Sequence, residues 1–501
     1  MGSLPPRKTQ RIAIIGAGPG GVVAAKYLLA EDYFSTIDVF EQQDSFGGVW
    51  NYSSDPRGTV DIPQTNPNQP LEEPIWRSSG GLQNGDVDGE DEKKATFISP
   101  MYERLESNIP HVIMKHSDKL LEDNQLFPSR QTVVKYLEEY AENIKHLVHF
   151  QTQVTDVSRI CEGSQDAWLV QVRDLVTGKV SEAFCDAVVV ANGHYTVPTL
   201  PDIKGIREWN AENPGIIGHS KFYRRPDGYR DKKVIIVGNA ASGTDIATQI
   251  ATVCKHPLLL SSRSESVLFP FSASYKENVP EIVEFLPPCP GQGERAVRFK
   301  DGRVEEGIDA ILFATGYYYS FPFLESLKPA TTTTGERVEG LYQHMFYIHE
   351  PTLAFIGLPA KIIPFRTFEG QAAVIARVWS NKLDLPSVQE MKKWEESVIK
   401  ERGLGKGFHV LEFPKDFEYH NEMVEWAERA RDSGDEKGKG KLPPKWNEME
   451  TWTRERFPAI KRAFAEKGEG RHGVRTVEEL GFDYEGWLRG ERGEGKRESA
   501  G

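Results

Sequence analysis

Two short stretches of the 501-residue chain have the residue types and spacing that bind the pyrophosphate of a dinucleotide. The first fits the pattern G-x-G-x-x-G directly after an apolar run at residues 11–15, and it consists of Gly16, Ala17, Gly18, Pro19, Gly20 and Gly21. In this pattern the first glycine makes a tight turn, the second lets the backbone approach a phosphate, and the third lets helix and strand pack closely. The following helix then presents free N–H groups to the anion.

The second stretch follows another apolar run, at residues 233–237, and is less rich in glycine. It consists of Gly238, Asn239, Ala240, Ala241, Ser242 and Gly243. Small residues at these places still permit a close approach of the backbone to a phosphate. The sequence therefore predicts two dinucleotide sites.

The charge that follows each stretch differs. Glu41 stands 25 residues after Gly16, and Arg263 stands 25 residues after Gly238. A carboxylate there accepts hydrogen bonds from ribose hydroxyls, whereas an arginine suits the 2′-phosphate of NADP. Ser261 and Ser262 precede the arginine and add hydroxyl donors. The first site therefore predicts FAD or NAD and the second NADP, although Arg263 could also be an ordinary surface cation.

The elements that must position these residues form two β-α-β units about 220 residues apart. This pattern predicts an α/β fold with two Rossmann-like dinucleotide-binding domains, the second inserted in the first. We assign residues 1–212 to the first part of the domain that carries the first glycine turn, 213–324 to the domain that carries the second turn, and 325–501 to the second part of the first domain.

Two segments fit this pattern less well. Residues 65–95 are acidic and rich in proline, asparagine and glycine, which predicts a surface loop or insertion. Residues 431–441 read as a linker, and residues 444–466 as an exposed, charged helix of a C-terminal extension.

Composition excludes several partners. The net charge of −13 disfavours nucleic acid and anionic lipid. Four cysteines without a C-x-x-C pair indicate a reducing compartment, and we find no metal-ligand motif. No apolar run is long enough to span a membrane, so we expect a soluble, cytoplasmic protein, with a homo-oligomer left open as its assembly.

Further motifs resemble those of the flavin-containing monooxygenases. After Glu41 comes a G-G-x-W stretch, residues 47–50, and A-N-G-H-Y at 191–195 looks like the crossover between domains. Residues 215–223 are similar to the family fingerprint F-x-G-x-x-x-H-x-x-x-F/Y, except that its first aromatic position is Asn213. Residues 314–317 match its A-T-G-Y segment.

This resemblance implies FAD at the first site and NADPH at the second. It places Gln42, Gly48, Val49, Trp50, Val154 and Gln371 near FAD, and Tyr223, Asn239, Ala241, Ser242, Ser262 and Arg263 near NADPH. Asn108, in a segment from Pro100 to Pro110, would lie beside the flavin ring as the catalytic residue; the alternative is an asparagine that caps a turn. Glu369 would approach the flavin, and His219 would be structural.

The family's reaction is then the expected one. NADPH reduces the flavin, O2 gives a C4a-hydroperoxide, and a nucleophilic nitrogen or sulfur of a small molecule, as in N,N-dimethylaniline oxygenation, takes one oxygen atom. Three alternatives stay open: a Baeyer–Villiger or carbon oxygenase, which usually has tryptophan at the place of Tyr223; a flavin disulfide reductase, which the missing C-x-x-C disfavours; and a non-catalytic nucleotide-binding protein.

Overall fold

A computed structural model describes residues 9–54, 58–78, 93–121, 125–162, 165–263, 275–288, 294–430 and 440–490. Its strands before residue 200 are β1 (Arg11–Ile15), β2 (Thr36–Phe40), β3 (Ile75–Ser78), β4 (Lys93–Thr96), β5 (Val148–His149), β6 (Thr152–Glu162), β7 (Gln165–Asp174), β8 (Val180–Cys185), β9 (Ala187–Val190) and β10 (Val197–Pro198). The later strands are β11 (Ile217–His219), β12 (Val234–Val237), β13 (Leu258–Ser261), β14 (Lys276–Val279), β15 (Ile282–Phe285), β16 (Val297–Phe299), β17 (Val304–Glu305), β18 (Ala310–Phe313), β19 (Tyr317–Tyr318), β20 (Leu341–Tyr342), β21 (Phe346–Tyr347) and β22 (Leu353–Phe355).

The α-helices alternate with these strands in the first part of the chain and follow one another at its end. They are α1 (Pro19–Ala30), α2 (His111–Met114), α3 (Arg130–Ala141), α4 (Ile206–Glu212), α5 (Ala241–Ile250), α6 (Pro364–Trp379), α7 (Val388–Arg402), α8 (Lys415–Glu428) and α9 (Glu448–Glu466).

The first large sheet has the order β20-β21-β22-β9-β1-β2-β5. The strands from β22 to β5 run parallel, and β20 and β21 continue the sheet antiparallel. Strand β1 is almost fully buried, as a parallel strand covered on both faces must be. Helices α1 and α6 share a buried apolar cluster on one face of this sheet.

The second large sheet, β11-β18-β12-β13-β14, is parallel throughout. All its strands lie in the chain between strands of the first sheet, which gives the mixed α/β fold with two dinucleotide-binding units. Where the chain leaves the first sheet and returns to it, β10 and β19 pair antiparallel, with Val197 opposite Tyr318.

Several elements differ from the sequence-based expectation. The acidic segment 65–95, predicted as a loop or insertion, contains strand β3 and runs into strand β4, which pairs antiparallel with β3; residues 79–92 lie outside the described residues. Strand β8, which we did not predict, completes the three-stranded antiparallel sheet β6-β7-β8.

Helix α9 corrects a further expectation. It begins at Glu448 and is not an exposed helix, because Trp452, Ile460 and Phe464 on one side are buried. Ile460 and Phe464 join Leu126 and Phe127 in an apolar cluster. The sequence reading gave weight to the charged residues and overlooked this apolar side, whose members are eight and four residues apart. The linker 431–441 falls almost entirely outside the described residues.

Candidate functional site: two dinucleotide turns and the segment between them

The first glycine turn connects β1 to α1, and its backbone leaves no room for a Cβ at Gly16 or Gly21. Gly16 has a φ of +97°, and a Cβ there would lie 2.7 Å from the Ala191 carbonyl oxygen. A Cβ on Gly21 would lie 1.9 Å from the Gly16 carbonyl oxygen. Helix α1 begins at Pro19, and its N-cap, Gly18, supplies no side-chain hydrogen bond. The first N–H groups of the helix are therefore available to an anion.

Glu41 lies next to this turn at the end of β2. One carboxylate oxygen accepts a hydrogen bond from Ala17 N at 2.7 Å, and the other accepts one from Gln43 N at 2.8 Å. Burial raises the pKa of Glu41, while these backbone N–H groups act against the rise. Because a carboxylate oxygen accepts more than one hydrogen bond, each oxygen of Glu41 can also accept a hydrogen bond from a ribose hydroxyl.

A second turn, Gly48–Trp50, covers the first. Gly48 has a φ of +53°, and a Cβ there would lie 2.8 Å from Gly18 Cα. The Val49 carbonyl accepts a hydrogen bond from Ser99 Oγ at 2.5 Å, which ties this turn to the segment that leads to Asn108. Gly48, Val49 and Trp50 thus lie where a molecule bound at the first glycine turn would reach them.

The other residues predicted near FAD have partners within the protein. Gln42 Oε1 accepts a hydrogen bond from Gln153 Nε2 at 3.4 Å. Val154 is buried in the same apolar cluster as Phe40. Gln371, in α6, accepts from Gly357 N at 3.0 Å and donates to Tyr419 Oη at 3.0 Å. Their contacts with FAD stay predictions.

Glu369 lies deeper in the protein. Its carboxylate accepts hydrogen bonds from Ser117 Oγ at 2.7 Å and from Ser117 N at 3.0 Å. Tyr27 Oη lies 3.3 Å from it, and burial raises the pKa of Glu369 to about 7. The structure therefore places this carboxyl between α1 and α6, where it links helices.

The second glycine turn repeats the geometry of the first. Gly238 has a φ of +107°, and a Cβ there would lie 2.5 Å from the Ala314 carbonyl oxygen. A Cβ on Gly243 would lie 2.0 Å from the Gly238 carbonyl oxygen. Helix α5 begins at Ala241 after the N-cap Ala240, again without a side-chain cap. Asn239 accepts from Thr244 Oγ1 at 3.0 Å through its carbonyl, and Ser242 is exposed.

Arg263 follows β13 with a side chain that is 85% exposed. Its Nε donates to Glu281 Oε2 at 3.0 Å, and Lys300 Nζ lies 2.8 Å from the other oxygen of that carboxylate. The preceding residue, Ser262, donates its backbone N–H to the Val279 carbonyl at 3.1 Å. Glu281 thus holds the guanidinium beside the end of β13, and neither terminal NH2 group makes a hydrogen bond to a residue of the described ranges.

Asn108 lies in a segment between the two turns. Its half-buried side chain makes no hydrogen bond within the described part of the chain, whereas Ser107 Oγ accepts from Ile109 N at 3.0 Å. Ser107, not Asn108, therefore supplies the turn hydrogen bond that was the alternative role for the asparagine. Ile109 and Trp50 pack against the same buried cluster, which places this segment beside the turn that covers Gly18.

The same segment also contacts the second unit. Tyr102 Oη donates a hydrogen bond to Asp245 of α5, the helix that begins at the second glycine turn. The Tyr102 ring packs edge-on against Tyr223 at 5.4 Å, and Tyr223 Oη donates to Gln249 Oε1 at 3.1 Å. Tyr223 is only 2% exposed, so its predicted contact with NADPH would be made at the edge of a packed ring.

His219 and Asn213 both make hydrogen bonds to the backbone near their own positions. His219 Nδ1 accepts from Lys221 N at 3.1 Å, and burial lowers the pKa of His219 to about 3, so the ring is neutral. Asn213 Nδ2 donates to the Trp209 carbonyl at 2.9 Å and closes the end of α4. Asparagine at the aromatic position of the fingerprint thus serves as a helix cap.

Sequence reasoning missed Asp245 and Lys461. Asp245 stands seven residues after Gly238 on a helix that we predicted, but nothing in its spacing indicated that Tyr102 would reach it. Lys461, whose ammonium donates to the Ser107 carbonyl, was hidden in the charged pattern of α9; its position between Ile460 and Phe464 was a signal of burial but not of this partner.

Comparison with known proteins agrees with this geometry. The flavin-binding monooxygenase-like family model matches residues 88–280 and 279–423, and an NAD(P)-binding Rossmann-like model matches residues 14–74. Flavin-containing monooxygenase FMO GS-OX-like 9 of Arabidopsis thaliana is 33% identical over 84% of this chain and 86% of its own length. The thiol-specific monooxygenase of Saccharomyces cerevisiae is 33% identical over 83% of this chain and 85% of its own length.

A solved structure, S-allyl-L-cysteine S-oxygenase from Allium sativum, superposes with a TM-score of 0.73 at 26% identity and covers 94% of this chain and 97% of its own. The chain belongs to the flavin-binding monooxygenase-like family. It is an FAD-dependent monooxygenase that uses NADPH, as the resemblance of its motifs to the flavin-containing monooxygenases had led us to expect.

The residues present fit both cofactors. In each turn two glycines stand where a Cβ would meet a carbonyl oxygen, and each following helix starts without a side-chain cap. The carboxylate of Glu41 accepts a hydrogen bond from Ala17 N in the first turn. The guanidinium of Arg263 stands just after β13 of the second sheet. Among the helices of the described ranges, none is long and apolar enough to cross a membrane.

Proposed function

We propose that this enzyme adds one oxygen atom from O2 to the sulfur of a small molecule, with Asn108 as the polar group at the reaction site. The observation that carries the proposal is the Asn108 amide, which is half-buried and lacks a hydrogen bond to the described residues, in a segment that contacts α5 through Tyr102 and packs beside Trp50 through Ile109. Sulfur is favoured over nitrogen because two relatives are named as a thiol-specific monooxygenase and an S-allyl-L-cysteine S-oxygenase.

The chemistry that FAD supplies when bound is acceptance of a hydride from NADPH and transfer of one oxygen atom of O2. The protein's part is binding and orientation. The uncapped N-termini of α1 and α5 would hold the two pyrophosphates, and Glu41 would accept hydrogen bonds from the ribose of FAD. Arg263 would bind the 2′-phosphate of NADPH, and the Asn108 amide would offer an N–H donor and a carbonyl acceptor at the reaction site.

The division of the chain belongs to the same proposal. Residues 1–212 and 325–501 would form the FAD-binding part, and residues 213–324 the NADPH-binding part. Strands β11–β18 support this division because they lie in one sheet and its neighbouring hairpins. A cytoplasmic location is also proposed, on the composition alone.

The test compares substrates and one variant. Purified enzyme with NADPH and O2 is given S-allyl-L-cysteine, dithiothreitol, N,N-dimethylaniline or cyclohexanone, and oxygenated products are measured by mass spectrometry. We expect products with the sulfur compounds. Product only from the amine, or only lactone from the ketone, would contradict sulfur oxygenation and favour the nitrogen or Baeyer–Villiger alternative.

The variant Asn108→Ala separates the residue's role from the choice of substrate. We expect the variant to retain FAD, because the Asn108 side chain bonds no described residue and its removal leaves the turn intact. We expect it to lose most product, because the amide is the proposed polar group at the reaction site. Asn68→Ala, in an exposed loop, is the matched control. Unchanged turnover of Asn108→Ala would remove this asparagine from the site.

A further inference from the structure

The segment that carries Asn108 is held by helix α9 of the C-terminal extension. Lys461 Nζ donates to the Ser107 carbonyl oxygen at 2.9 Å, one residue before Asn108. Arg471, just after α9, donates through Nε to Glu106 Oε2 at 3.2 Å. The extension therefore makes hydrogen bonds to Glu106 and Ser107, the two residues directly before the proposed reaction-site asparagine.

The burial of the Lys461 ammonium is energetically unfavourable by itself. It is 8% exposed, its ammonium lies 4.1 Å from the centre of the Phe127 ring, and the Phe464 ring is 5.4 Å away. A buried ammonium pays a large desolvation cost unless it is paired and hydrogen-bonded. An apolar side chain of similar length would fill the same space between the two rings without that cost, so packing alone does not account for the lysine.

The charges that face Lys461 explain how the ammonium is tolerated. Asp245 of α5 and Glu106 both act on it electrostatically and oppose the burial that lowers the pKa of Lys461 to about 8. Glu106 also forms an ion pair with Arg471, and its carboxylate accepts a hydrogen bond from Gln125 Nε2 at 3.0 Å. Asp245 accepts from Tyr102 and, at 3.1 Å, from Gln249 Nε2. Lys461 is thus the cation that faces Asp245 from the extension.

These contacts close a connection between the two units. Tyr102 links the Asn108 segment to α5, whose start forms the second turn, and Lys461 links the other end of that segment to α9. Between these two anchor points lie only residues 103–106. The stretch between the contact with α5 and the Ser107 carbonyl is therefore short and is held at both ends.

We propose that Lys461 is a positioning residue: by holding the Ser107 carbonyl it fixes the direction of the Asn108 side chain relative to the NADPH-side helix α5. This inference rests on the proposed role of Asn108. It gives the C-terminal extension a part in the reaction, since loss of the ammonium leaves the cofactor turns intact and loosens only the segment between them.

The experiment uses the full-length enzyme with Lys461→Met, which keeps the length and apolar stem of the side chain. Two quantities are measured: product formed per NADPH consumed, with hydrogen peroxide as the waste product, and hydrogen–deuterium exchange of the amides of residues 102–110. Loss of a hydrogen bond from a charged donor predicts about a tenfold fall in the product ratio and about tenfold faster exchange. FAD content should stay unchanged. Arg462→Met, the exposed neighbour on α9, is the matched control.

A double variant distinguishes this inference from the proposed function. If Lys461 acts through Asn108, Lys461→Met should change the product ratio little further in an Asn108→Ala background. Additive losses would overturn the inference, and so would unchanged exchange of residues 102–110 in Lys461→Met. If Asn108→Ala alone is harmless, the proposed function fails, whereas the exchange result still reports on the Lys461 contact.

Should Lys461→Met fail to fold, Arg471→Gln decides the question. Arg471 is more exposed, and its contact with Glu106 lies one residue further from Asn108. We expect a smaller fall in product per NADPH with normal FAD content and faster exchange of the same amides. Wild-type values of both would overturn the role of the extension.

Discussion

Replacing Arg263 with alanine tests whether the second turn selects NADPH over NADH. Arg263 is exposed, and its present partner is Glu281, whose carboxylate Lys300 shares. A hydrogen bond between charged groups contributes about 1.5–3 kcal/mol, and the exposed position favours the lower half of that range. Giving up the surface pair with Glu281 costs the wild type up to about 1 kcal/mol. The net loss is then about 0.5–2 kcal/mol, or roughly 2- to 30-fold in Kd.

NADH has no 2′-phosphate, so its Kd should change less than about twofold, within the surface-substitution range. The assay titrates Arg263→Ala with NADPH and with NADH and follows quenching of protein fluorescence. Arg298→Ala removes a similarly placed surface cation, paired with Glu284, and serves as the control. Glu281→Gln removes the competing carboxylate and should tighten NADPH binding by about two- to fivefold. Equal losses for both nucleotides in Arg263→Ala would refute the phosphate role.

Three further changes have defined outcomes. Gly243→Ala places a Cβ 2.0 Å from the Gly238 carbonyl and should abolish NADPH binding while the visible absorbance of FAD persists; retained NADPH affinity would contradict the close packing. Phe464→Ala removes a side chain that is 1% exposed and should lower the free energy of unfolding by about 3–5 kcal/mol in urea denaturation, against no more than about 0.5 kcal/mol for the exposed control Leu404→Ala. Glu369 has its folded-state pKa raised to about 7, so wild-type stability should fall as pH rises from about 4.5 to 7, by up to about 1.4 kcal/mol per pH unit, relative to Glu369→Gln; parallel stability curves for the two proteins would refute this.

The two dinucleotide turns could be predicted from the sequence because their determinants are local. Gly16 and Gly238 need positive φ, and Glu41 and Arg263 follow at the same spacing, so the residues that matter stand within one β-α-β unit. The family motifs extended this prediction to FAD and NADPH.

The other features of the fold and of the site, which the sequence did not predict, depend on contacts between residues far apart in the chain. Strand β8 is exposed on most of its length and has no strong apolar alternation, so its pairing with β7 decides its structure. Likewise, Lys461 and Ser107 are 354 residues apart, and no local pattern marks such a contact. Tertiary contacts of this kind override the charged appearance of a segment.

The antiparallel pairing of β10 with β19 has a consequence for the order of folding. Strand β22 must find β9 across more than 160 residues, a loop closure that is costly in chain entropy. Once the five-stranded parallel sheet has formed, the pairing of Val197 with Tyr318 brings the two ends of that long stretch together, and the effective loop becomes short. We therefore expect amides of β12 and β18 to gain protection before those of β22 in pulse-labelled refolding. Earlier protection of β22 would mean that the first sheet assembles without waiting for the second.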